Sequence, residues 1–130
     1  MPKGVLILAQ TATANPNGTI SILNGWVDRI GIPRLPVNVQ ASLVVRIVPS
    51  ANELGDLDCE IRCLDENNAE FHPRAPGKVR IGTPGVGAAV VLPVNVPMKR
   101  FGRYAFALYV AGKKLDRADF ELYENAEKKP

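Results

Sequence analysis

The sequence predicts an all-β fold: an antiparallel sandwich of about eight short strands joined by Greek-key connections. Three observations predict it. Apolar and polar residues alternate with a period of two along most of the chain. Turn-forming clusters recur at spacings of about 8–12 residues, and the 11 glycines and 11 prolines are scattered rather than gathered in one tract. No segment of about ten residues carries an apolar stripe at the helical period.

The elements follow in order. VLILAQ, residues 5–10, reads as the first strand, and NPNG at 15–18 as a turn. TISILNGW, 19–26, returns as a strand with Ile20 and Ile22 on one face. In VNVQASLVVRI, 37–47, the odd positions Val37, Val39, Ala41, Leu43, Val45 and Ile47 are apolar. The even positions are polar except Val44, as in a half-buried strand. LDCEIRCLD, 57–65, turns Leu57, Cys59, Ile61 and Cys63 inward and Asp58, Glu60 and Arg62 outward. ANELGD before it and DENNAE, 65–70, after it are turns. RAPGKVRIGTPG, 74–85, reads as irregular chain or a short strand at 78–82, with a turn at Thr83-Pro84-Gly85. VGAAVVLPVNV, 86–96, is strand, and Pro93 places it at an edge or a bulge because proline donates nothing to a ladder.

The final hairpin spans 102–123. Tyr104, Phe106, Leu108 and Val110 form its bulky face, and Arg103, Ala105, Ala107 and Tyr109 its small or amphipathic face. Ala111-Gly112-Lys113-Lys114 supplies the turn, where glycine accepts positive φ. The return is bulged near Asp116–Ala118 and buries Phe120 and Leu122. Residues 1–124 read as one domain, and 125–130 as a charged, frayed tail.

Gly102-Arg103-Tyr104, opening the penultimate strand, resembles the tyrosine corner of immunoglobulin-like sandwiches. There the tyrosine hydroxyl bonds to backbone upstream. Gly102 and Tyr104 are therefore structural candidates. NGTISILNGWVDRI, LPVNVQASLVVRI, LGDLDCEIRCLDENN and FGRYAFALYVAGKKL together resemble a family of small uncharacterised bacterial proteins, a domain of unknown function. The resemblance covers nearly the whole chain. It implies a compact β-sandwich of the immunoglobulin-like class and carries no reaction with it.

Apolar residues make up 46% and charged residues 22%, which places the chain among globular proteins. The run VLILA is too short to span a bilayer, and the N-terminus lacks a signal-peptide pattern. The expectation is a cytoplasmic protein with no membrane partner. Cys59 and Cys63, four apart on one strand, lie roughly 13 Å apart. A disulfide needs less than about 7 Å, so they read as small buried hydrophobes. With one histidine and two cysteines, neither a zinc site nor another cofactor is expected.

Net charge is +3, and from Phe71 to Leu115 there is no acid against eight Lys and Arg. Such a window reads either as a basic patch for an anionic partner or as cations met by acids from elsewhere in the fold. The second reading is favoured. His72, in FHPR, has no sequence neighbour to orient it as a general base. GTPGVGA, 82–88, lacks the lysine and hydroxyl of a phosphate loop. Asp58 and Glu60 share a strand face as solvated alternation rather than as a glycosidase pair.

The candidate binding residues are Trp26, Asp28, Arg29 and Arg34 in and after GWVDRIGIP, and Arg100, Arg103, Tyr109, Lys113 and Lys114 around the final hairpin. Tryptophan and arginine are common interface anchors. For the Trp26 loop the favoured reading is structural: Trp26 fills the core, and Asp28 and Arg29 pair or are solvated at a strand end. Tyr109 and Tyr123, read as outward, form with Arg103 and Lys113 the pattern closest to a single-strand stacking surface. Val44, Val91 and Tyr109 are apolar at outward positions. The expected function is non-enzymatic: a binding or assembly module for a protein partner or for a second copy of itself. The alternatives are nucleic-acid binding through 71–115 and an enzyme with an unrecognised site; no small-molecule substrate is identified.

Overall fold

The structure, a computed structural model, describes residues 3–17, 19–49, 55–82 and 87–125. Within them lie ten strands and no helix: β1 (Lys3–Ala9), β2 (Thr11–Ala14), β3 (Ile20–Leu23), β4 (Arg29–Ile32), β5 (Val37–Val48), β6 (Gly55–Leu64), β7 (Glu70–Ile81), β8 (Ala88–Met98), β9 (Gly102–Val110) and β10 (Lys113–Glu124). The fold is all-β. A three-stranded sheet has the order β1-β5-β8, a five-stranded sheet the order β4-β10-β9-β6-β7, and β2 and β3 form a hairpin of their own. One sheet curls into a half-barrel.

The period-two pattern sets the core. Leu6 and Leu8 on β1, Leu43, Val45 and Ile47 on β5, and Val96 and Met98 on β8 pack with Cys59, Ile61 and Cys63 on β6. Phe106, Leu108 and Val110 on β9 and Phe120 and Leu122 on β10 complete the same cluster. Both sheets thus bury one face each against a shared interior. Burying side chains of this size contributes about 1.5–3 kcal/mol apiece before the entropy of ordering them.

The turns use the expected chemistry. Ala111 and Gly112 both take positive φ, 51° and 79°, as a two-residue turn of the primed type requires. The register of β9 and β10 then slips between Lys114 and Asp116, earlier than the expected bulge. Asp65 closes the β6–β7 turn: its Oδ1 accepts from the amides of Asn67 (2.9 Å) and Ala69 (3.0 Å). Pro93 and Pro97 lie on β8, which is an edge strand.

Four expectations change. Residues 74–81 are not irregular or a short strand; they complete the twelve-residue β7. Pro73 and Pro76 are tolerated there because β7 is an edge strand, where a missing N–H costs no ladder bond. The pairing is not wholly antiparallel, since β4 runs parallel to β10 with Arg29 opposite Glu121. Val44 is not an outward contact surface. It stands in line with Ile7 and Val91 across the three-stranded sheet, yet it is only 6% exposed. The reason is β2, the first strand of the β2–β3 hairpin, which lies against β5 and β8. Trp26 does not fill the core. Its backbone has φ of 59° and its side chain is 72% exposed. The turn expected at Thr83-Pro84-Gly85 and most of the 82–88 loop lie outside the described residues, as does the tail beyond Asn125.

Candidate functional site

The corner anticipated at Tyr104 is built as its spacing suggests. Its hydroxyl donates to the Arg100 carbonyl at 2.7 Å, pinning the β8–β9 turn against β9. Gly102 stands inside that corner with φ of 144°, a conformation that side-chain-bearing residues rarely adopt. The Tyr104 ring links interior to surface. It stacks on Phe120 at 5.8 Å, and Phe120 stacks on Phe106 at 5.4 Å. On its other side Phe71 meets it tilted at 5.2 Å. Burial, ahead of any charge effect, raises the phenol above its ordinary pKa.

Two adjoining hollows open around this corner, of about 380 and 550 Å³. They share Asp65, Glu66, Arg103 and Tyr104. The first also takes in Phe71, Lys99, Arg100 and Phe101; the second reaches Asp28, Arg29, Arg117 and Glu121. Phe71 and Phe101 are 37% and 38% exposed. Lys99, Arg100 and Arg103 make no ion pair among the described residues.

On β7 the cations of the acid-free window are matched to acids. Arg74 binds Glu70 through two nitrogens at 2.8 and 3.0 Å and reaches Glu60 at 3.5 Å. Those bonds hold Glu70 below the usual carboxylate range and Arg74 above its ordinary value. Lys78 and Arg80 face Asp58 and Asp56 at 3.9 and 3.6 Å. The pairing follows from register, because β7 lies antiparallel to the acidic face of β6, with Lys78 opposite Asp58 and Arg80 opposite Asp56.

The structure divides the predicted binding residues. Asp28, Arg29, Arg100 and Arg103 line the two hollows, beside Gly102 and Tyr104. Arg29 is engaged there: it pairs with Glu121 at 3.2 Å and lies over the Tyr123 ring at 4.2 Å. Lys113 and Lys114 sit at the other end of β9, roughly 27 Å away at strand rise. Tyr109 is half-buried on the outer face, its ring covered by the Arg62 guanidinium at 3.7 Å. Beside it, Ala105 and Ala107 are buried with Leu64 in a small second cluster. Trp26 and Arg34 are exposed and line neither hollow.

Sequence reasoning missed Asp65, Glu66, Phe71, Lys99 and Phe101. Lys99 and Phe101 adjoin the corner motif, which was a usable signal. The β6–β7 turn joins them only through the pairing of β6 with β9, where Leu64 stands opposite Ala105.

The remaining chemistry-bearing groups lie apart from the hollows. His72 sits half-buried on β7 opposite Cys63, and its imidazole makes no hydrogen bond among the described residues. Cys59 and Cys63 are free and buried. Burial, with Glu70 adding, pushes the Cys63 thiol up to about 11; burial, with Asp58 adding, raises Cys59. Such thiols are poor nucleophiles. No group of three metal-ligating side chains occurs among the described residues, nor does any helix long and apolar enough to cross a membrane.

No curated protein matches the chain. The family model described as "Family of unknown function (DUF6941)" matches residues 4–122, from β1 into β10. The chain therefore belongs to the DUF6941 family.

Proposed function

We propose that this protein is a non-enzymatic binding module of the bacterial cytoplasm. It engages a protein partner, or a second copy of itself, through the hollows at the tyrosine corner. One observation carries the reading: among the described residues Lys99, Arg100 and Arg103 make no ion pair beside the half-exposed rings of Phe71 and Phe101, while the β7 cations of the same acid-free window are matched to acids. Unmatched cations around aromatic surface suit a partner that brings carboxylates and an apolar side chain together. Among the described residues the site offers no oriented base or nucleophile, which favours binding over catalysis.

The fold reading that accompanies this is an immunoglobulin-like sandwich of Greek-key type. It is supported by β4 lying beside the last strand, by the order of the two sheets, and by the Tyr104–Arg100 bond.

The test is binding by an acidic, aromatic-bearing peptide library, followed by calorimetry on the selected peptides. Arg100→Glu and Arg103→Glu are expected to weaken binding about tenfold or more, with unchanged thermal unfolding. Light scattering covers self-association. A strict monomer whose selected peptides ignore both substitutions overturns the reading. Binding of single-stranded oligonucleotides that falls steeply with salt would replace the protein partner with nucleic acid.

A further inference from the structure

The edge of β5 leaves main-chain groups open beside a slot that shares Arg29 with the second hollow of the corner. β1 pairs with β5 only from Val48 to Ser42 and leaves it at Ala9. β5 continues through Ala41 to Val37, held on its other side by β8 alone. The direction of its main-chain groups follows from the phase of the ladder. The Leu6 amide bonds to Asp116 and the Leu8 carbonyl accepts from Val27, so both point away from β5. Ser42, Val44 and Arg46 therefore turn their N–H and C=O toward β1. By the same alternation Asn38 and Gln40 turn theirs toward the vacated side. The opposite strand agrees: Asn38 faces Pro97 and Ser42 faces Pro93, prolines that have no N–H for β5. Asn38 and Gln40 make no hydrogen bond on that side among the described residues.

Two donors and two acceptors thus stand along one edge, about 7 Å apart by strand rise. Only an extended backbone matches that spacing on both kinds of group. Alongside lies an apolar slot of about 490 Å³, walled by Val27, Ile30, Ile32, Val37 and Val39. Arg29 is the one charged residue lining it among the described residues. The edges of β8, β7 and β1 are closed to such pairing. β8 carries Pro93 and Pro97, β7 carries Pro73 and Pro76, and the outer edge of β1 is taken by Asp116 and Val27.

We propose that an extended peptide segment of another protein docks here as an added strand on β5. Its backbone pairs with Asn38 and Gln40, one aliphatic side chain enters the slot, and an adjacent carboxylate meets Arg29. The charge complement favours this occupant: Arg29 lines the slot, whereas Glu121, which pairs with it at 3.2 Å, does not.

The experiment is selection from a phage-displayed library of random heptapeptides against the full chain, with amide hydrogen exchange read by NMR. In the free protein, Asn38 and Gln40 amides exchange at least about a hundredfold faster than those of Val39 and Ala41, which face β8. Selected peptides share an aliphatic residue beside an acid, and they slow exchange at Asn38 and Gln40. Gln40→Pro removes one donor, and Val37→Glu charges the slot wall. Each weakens binding at least about tenfold, whereas Arg100→Glu leaves it unchanged; that separates this site from the corner. Val37→Glu also serves if Gln40→Pro fails to fold. Four results overturn the proposal: Asn38 and Gln40 already protected in the free protein, no peptide selected, selected peptides indifferent to both substitutions, or a dimer in light scattering that Gln40→Pro abolishes, which would make the occupant a second copy.

Discussion

The Asp116 carboxylate accepts a hydrogen bond from the Leu6 amide at 2.7 Å, joining the last strand to the first across the two sheets. Leu6 lies on the outer edge of β1, where no strand supplies an acceptor. Asp116 is placed to reach it by the register slip after Lys114. Removing the carboxylate strands a half-buried donor. Asp116→Ala is expected to cost about 1–2 kcal/mol, read as a lower urea midpoint with an unchanged slope. Asp116→Asn keeps an acceptor and should lose less than half as much. Equal midpoints for all three proteins would mean that water satisfies the amide as well.

Val44 and Trp26 make an opposed pair. Val44 lies beneath β2, so Val44→Asp buries an unpaired charge and should cost about 3 kcal/mol or more. Trp26→Ala removes an exposed ring and should shift stability by less than about 0.5 kcal/mol. Thermal unfolding of the two variants decides the matter. Near-equal, small effects would show that β2 does not cover Val44.

The thiols give a pH dependence with a definite sign. In the unfolded chain a cysteine ionises near 9.0, and in the fold Cys63 is held up to about 11. The unfolded chain therefore loses its proton first, and stability falls as pH rises from about 9 to about 11. Below about 9 both states keep the proton and the effect vanishes. The loss is on the order of 2 kcal/mol by the upper limit. Cys63→Ala should flatten that part of the stability curve relative to the parent. A disulfide-based thiol reagent at pH 8 should leave native protein unlabelled within minutes and label two cysteines in denaturant. Rapid native labelling would contradict the packing around β6.

Much of the strand pattern was legible because alternation is a local property. Each of VNVQASLVVRI, LDCEIRCLD and GRYAFALYV states its own inner face, and all three faces entered the core. The corner was legible for the same reason, since Tyr104 and Arg100 lie four residues apart. β7 was not legible, because its prolines read as breakers until an edge position excuses them. Arg74, Lys78 and Arg80 read as a basic stretch until β6 supplies their acids.

By itself, then, the sequence determined the all-β class, the inward faces and a tyrosine, Tyr104, within reach of the backbone four residues upstream, which depend on neighbours within a few residues. The tertiary structure decided which surfaces remain available. β2 lies against β5 and β8 where Val44 stands, Arg62 covers Tyr109, and β1 departs from β5 at Ala9, leaving Asn38 and Gln40 without a partner on that side among the described residues. Exposure and pairing belong to segments far apart in the chain, and no local pattern of residues encodes what another strand will lay across it.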